Sequence, residues 1–413
     1  MKHTNLSGVR LAALLLALGA GSGCTDDELA QQYYDPYAGD AFPNQRQKLV
    51  IPPAGMGVVS DSLSDTLSFI DLATGDKFAT YPVGRDPVTI DGPHHVVADM
   101  ARGAFYVALS YPAIAGSTGP HAAHGSSVVP GYAQKLSMED LSVLGQVRVD
   151  PNPGDIVLSG DGSRLVVSHF DLQRALANPG NIDAARSTLA VIDPDAMLLS
   201  GSPAPLKVSL CIAAHGITLS HPDGARAYTA CYGEDALAIA DLTNPGAEVK
   251  RIPVGPDASI GNPTYGPYAS VMSPDGKTIA VSNTTSKDIR FFDVETETFD
   301  LSKTIKTQGV PYFVGWTPDS KYIYVPTQQP DALLLIDVSQ GNAEVDYRDL
   351  TGECEKPHQA ELHEGSGLFV VCEGDKLTPG DLVKLDPMTL TTHAKTQVGV
   401  YPDAIIRVLG GDQ

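Results

Sequence analysis

The strongest constraint on this chain is a phrase that returns seven times along it. The clearest copies are AAHGITLSHPDG (213–224), GPYASVMSPDG (266–276) and GVPYFVGWTPDS (309–320). Weaker ones are PHHVVAD (93–99), PGDIVLSGDG (153–162), PHQAELHEGSG (357–367) and PDAIIRV (402–408). Each opens on Pro or Ala, continues with one variable residue and an apolar run, and in most copies closes in a turn. The variable residues are His94, Gly154, His215, Tyr268, Tyr312, His358 and Asp403, spaced by 60, 61, 53, 44, 46 and 45 residues. Repetition on this scale means that one small unit is stacked many times.

A second phrase alternates with the first: an apolar strand ending in Asp. It gives Asp71, Asp193, Asp241, Asp293, Asp337 and Asp386, with Ser137 in the remaining unit. An Asp at a strand-to-turn junction accepts backbone N–H groups, so this repeated residue reads as structural. A further short strand follows each. Every unit therefore holds four strands, A to D, built from β-branched and aromatic residues and punctuated by Gly, Pro, Asp and Ser. One such sheet cannot bury both its faces, whereas seven arranged radially cover one another. The predicted fold is an all-β, seven-bladed β-propeller of four-stranded blades, numbered here from His94 (blade 1) to Asp403 (blade 7). The last unit has only strand A, from Asp403 to about Leu409. Residues 56–84 supply strands B, C and D, so the two ends of the chain close one blade. A ring left open would expose two unpaired edges.

The units resemble the bacterial YVTN-type propeller repeat, whose pattern runs VG-x-x-P-x-x-(apolar)-SPDG … VxxIDxxT, over about 350 residues. The resemblance implies the fold and leaves the activity open. Surface-layer-like proteins, periplasmic binding propellers, propeller lactonases and propellers accompanying haem enzymes all share it.

The first residues resemble a bacterial lipoprotein signal: Lys2 and Arg10, an apolar stretch from Leu11 to Ala20, small residues, then Cys24. The apolar stretch is too short to span a bilayer. The pattern implies a signal peptide over 1–23, lipidation of Cys24 and attachment to the outer membrane. Gly21 stands where the pattern prefers Leu, and ordinary signal cleavage is the alternative. Residues 24–54 read as a flexible acidic tether and 55–413 as the propeller. The charge of −21 argues against nucleic acid or an anionic membrane surface as a partner, leaving the lipid as the contact with the membrane.

In a propeller the D–A and B–C loops share one face, taken here as the top. His94, His95, His215, Tyr268, Tyr312, His358 and Asp403 then ring the mouth of the channel, the expected place for a ligand. His94, His215 and His358 form a candidate set for Zn, Cu or Fe. The alternative is that these side chains hydrogen-bond the backbone of the next blade. His121 and His124 lie in a long B–C loop of blade 1, and a second insertion in blade 2 carries a predicted helix over 172–177.

Cys211 and Cys354 precede strand A in blades 3 and 6, and Cys231 and Cys372 end strand B of the same blades. The repeated placement reads as two disulfides, Cys211–Cys231 and Cys354–Cys372, with a Cys/His metal site as the alternative. CxxCH, HExxH, GxSxG and P-loop motifs do not occur. These features favour a monomeric, non-catalytic, lipid-anchored scaffold whose top face binds an envelope protein or a small polar ligand. The alternative is a metal-dependent hydrolase, a lactonase or a redox protein using the histidines.

Overall fold

The computed structural model describes residues 48–409 apart from 86–87, 112–124, 340 and 342. Cys24, the signal segment, most of the tether, and His121 and His124 lie outside the described residues. Seven antiparallel sheets form the ring, each with at least four strands in the order A, B, C, D. In blade 7 strand A is Pro402–Val408, and strands B, C and D are Met56–Asp61, Thr66–Asp71 and Lys77–Pro82. Met56 pairs with Val408 and Val59 with Ile405, which closes the circle as expected.

Alternation along the strands explains how the blades adhere. Within Ala104–Leu109, the residues Phe105, Val107 and Leu109 join a core with Met56, Val58 and Phe69 of blade 7. The intervening Ala104, Tyr106 and Ala108 join Ile156, Leu165 and Val167 of blade 2. A period of two thus supplies both faces of one sheet. Each of the seven blade–blade junctions has its own apolar core of this kind.

The repeated turn residue behaves as its position requires. Asp71 accepts the N–H of Ala73, Asp193 that of Asp195, Asp241 that of Thr243, and Asp293 that of Thr296. Asp337 and Asp386 accept from Ser339 and Met388, and Ser137 substitutes with its hydroxyl for Glu139. The two disulfides form as paired from the sequence, Cys211–Cys231 and Cys354–Cys372.

One irregularity recurs in all seven blades and sets up the site. At the start of strand A, one more residue is spent than on strand B. Pro153 pairs with His169 and Asp155 with Ser168; Pro357 pairs with Cys372 and Gln359 with Val371. The same shift occurs in blades 1, 3, 4 and 7, and blade 5 repeats it between Pro311 and Gly315. This is a β-bulge, which bends a strand and re-aims the extra side chain. The extra residue falls at the variable position of the repeat or beside it. In six blades the residue just before the bulge has positive φ: Gly92, Asn152, Ala213, Gly266, Lys356 and Tyr401. For Ala213, Lys356 and Tyr401 that conformation is costly, so the surrounding structure must impose it.

Candidate functional site

The bulges turn the variable side chains inward, where they pack against one another. His94, His215, His358 and Asp403 have no exposed surface, and Tyr268, Tyr312 and His95 have almost none. Six of them line the interior as strand residues, and Tyr312 lies between the short strands Val310–Pro311 and Gly315–Trp316. Serines on strand B fix the backbone carbonyls of three of them across blade junctions: Ser60 donates to His94, Ser168 to His215 and Ser282 to Tyr312.

Three imidazoles are held by the same nitrogen. His94 Nδ1 lies 3.3 Å from the carbonyl of Pro153, and His358 Nδ1 lies 2.7 Å from that of Asp403. His95 Nδ1 lies 2.7 Å from Asp155 Oδ1. A carbonyl or carboxylate can only accept, so Nδ1 carries the proton in each ring. In the neutral ring Nε2 then bears a lone pair. His94 Nε2 faces Asp403 Oδ2 at 3.0 Å, and His358 Nε2 faces Glu373 Oε1 at 3.8 Å. His95 Nε2 is buried without a hydrogen-bond partner among the described residues. The channel therefore gathers acceptors, which is an arrangement that calls for a proton or a cation.

Two groups of three potential ligands result, His94–His95–Asp403 and His358–Glu373–Asp403, with donor atoms within 4.8 Å of one another in each. His215 belongs to neither. Its Nε2 lies 2.8 Å from the Tyr268 hydroxyl, and the two rings stack at 3.9 Å. Of the three histidines read from the sequence as a metal set, two thus meet carboxylates and the third pairs with a phenol.

Electrostatics follow burial. Burial lowers the His358 imidazole to about 4, against the pull of Asp403. Burial also disfavours protonated His95, but the charge and hydrogen bond of Asp155, with the charge of Asp403, outweigh it and raise that ring. The Glu373 carboxyl is pushed well above the usual carboxylate range, first by burial and then by Asp403, with Lys376 and Lys356 opposing. Burial drives the Tyr268 and Tyr401 hydroxyls upward as well.

Several members were not singled out from the sequence. Phe313 leaves its own sheet: its N–H donates to the His358 carbonyl at 3.0 Å, and its carbonyl accepts from Ala360 at 3.2 Å. Its ring lies between 5.1 and 6.0 Å from those of His95, His215, Tyr268 and His358. Glu373, Phe170, Tyr232 and Ser62 form a second tier, each one residue past the strand B partner of the opening Pro or Ala. Ser62 donates to Asp403 Oδ2 at 3.0 Å. Phe170 lies 5.2 Å from His215 and 5.8 Å from Tyr268. It begins the blade 2 insertion, whose helices are Leu172–Ala177, as predicted, and Ile182–Ala185. Phe170 and Ala185 share one apolar cluster with Tyr268, Tyr312 and Phe313, with Leu172 and Ala175 packed against it.

No protein-family model matches the chain, and no curated protein matches it by sequence. Solved structures do match it by shape. The periplasmic gluconolactonase PpgL of Pseudomonas aeruginosa superposes with a TM-score of 0.60 at 16% identity, covering 86% of this chain and 99% of its own. The dihydro-heme d1 dehydrogenase NirN gives 0.55 at 18% identity, covering 88% of this chain and 77% of its own. AztD of Citrobacter koseri gives 0.52 at 15% identity, covering 87% and 98%. Likeness at such identities establishes a shared propeller fold and assigns no chemistry.

Proposed function

We propose that this protein is an exported, non-catalytic propeller that encloses and retains a small cation in its channel. The observation that carries this role is that Nδ1 of each of His94, His95 and His358 is taken up by an acceptor, while Nε2 of His94 and of His358 faces a buried carboxylate. Burying so many acceptors together is costly unless positive charge compensates them. Closure by Phe313 and by the Phe170 insertion favours retention over turnover. Lipidation at Cys24 and anchoring to the outer membrane fit this role, since they would hold the binding domain in the envelope. Native mass spectrometry of untagged protein from the envelope tests it directly. A bound cation lost on unfolding is expected, and a chain that neither carries nor takes up any cation would refute it. Replacement of Cys24 by Ser should release the protein from the membrane fraction.

A second reading is favoured by the shape shared with a gluconolactonase. Here the cluster would act on a lactone, with Asp403 or Glu373 as base. Hydrolysis of glucono-lactone at enzyme-like rates, lost in His358→Ala, would establish it in place of simple retention.

A further inference from the structure

Given the cation-retaining role proposed above, we infer that the ion is a first-row divalent transition metal such as zinc, bound by Nε2 of His94, Nε2 of His95 and Oδ2 of Asp403. Two imidazoles and one carboxylate suit such ions, whereas calcium and magnesium prefer oxygen throughout. His95 supplies the decisive detail. The residue is 7% exposed, and its Nε2 has no hydrogen-bond partner among the described residues.

Each ligand also has the outer support that a metal site needs. Asp155 holds His95 Nδ1 at 2.7 Å, the Pro153 carbonyl lies 3.3 Å from His94 Nδ1, and Ser62 donates to Asp403 Oδ2 at 3.0 Å. Such partners fix the tautomer and direct the lone pair of each ring. Asp155 is itself anchored, accepting the N–H groups of Ile156 at 2.8 Å and Ile217 at 2.9 Å. Three protein ligands leave a fourth position for water or another group. The other triad is the poorer site for such an ion because it offers a single imidazole beside two carboxylates. Asp403 Oδ1 is also engaged, 3.3 Å from His358 Nδ1.

The test uses the untagged full-length chain, stripped with a chelator and then titrated with Zn²⁺, and with Co²⁺ for its visible spectrum. One equivalent per chain is expected, with a rise in melting temperature on loading. His95→Gln should lose that rise relative to its own metal-free melting temperature, and Asp155→Asn should weaken affinity by roughly 10- to 100-fold. Glu373→Gln should leave the stoichiometry unchanged. Binding of ammonium or an organic amine but no transition metal would overturn the assignment and leave the retaining role intact. Metal binding equal to wild type in both His95→Gln and His94→Gln would overturn it too. No cation of any kind would end both.

Discussion

Asp155 of blade 2 holds Nδ1 of His95 in blade 1 at 2.7 Å and accepts the N–H of Ile217 in blade 3 at 2.9 Å. One carboxylate thus ties three blades together at their inner edges. Removing it leaves a buried imidazole and a backbone N–H without their acceptor. Asp155→Ala should therefore cost about 3 kcal/mol of stability in the metal-free protein. Asp155→Asn, which keeps an acceptor, should cost less than half of that. Denaturant melts of the two variants check the order, and equal losses would contradict the role given to the hydrogen-bond acceptor.

His363 ends strand A of blade 6, fully buried, and neither ring nitrogen has a hydrogen-bond partner among the described residues. Burial, with a smaller push from Arg407, lowers it from 6.5 to about 3. Between those values the unfolded chain holds a proton that the folded chain refuses. Its contribution is intact above pH 6.5 and declines as pH falls toward 3, by about 1.4 kcal/mol per unit for one proton. His363→Leu should be neutral or stabilising at pH 7 and should gain on wild type at pH 5. Melting temperatures across that range decide it; parallel curves would show that the ring is solvated.

The disulfides close loops with sequence separations of 20 and 18 residues. Replacing either pair by Ala should cost roughly 3 kcal/mol on the chain-entropy estimate. Thiol labelling of the denatured, unreduced chain should find at most Cys24. Labelling at Cys211, Cys231, Cys354 or Cys372 would contradict the pairing.

Deleting residues 402–413 removes strand A of blade 7 and exposes the edge of Met56–Asp61. The core formed by Val59, Ile70, Phe369, Val371 and Ile405 loses a wall at the same time. The truncated chain should aggregate or melt far below wild type, and it should regain solubility when the missing strand is supplied as a peptide. An unchanged melting transition would be incompatible with closure by the two termini.

The sequence made the blades legible because each repeats the same apolar runs and turn chemistry. Closure was legible because one unit lacked strand A and another lacked the rest. The cysteines read correctly because their positions recur in two blades. The residues at the variable positions were legible because they recur, whereas the neighbours that complete the cluster did not repeat, and so they stayed hidden. Asp155 follows a glycine at the variable position, and Glu373 follows Cys372 at what looks like an ordinary strand end. The bulge makes such neighbours converge, and it appears only as an inter-strand mismatch of one residue. The doublets His94–His95 and Tyr312–Phe313 carried the available signal, since an extra bulky residue at a bulge also turns inward.

Asp403 rides on the strand that leaves the ribosome last among those described, yet it faces His94, which is made more than three hundred residues earlier. A chain whose strand Pro402–Val408 has not yet joined the ring cannot present both groups together. On the proposed cation-retaining role, capture of the ion would therefore wait until Pro402–Val408 has met Met56–Asp61, so that an occupied centre would report a closed ring.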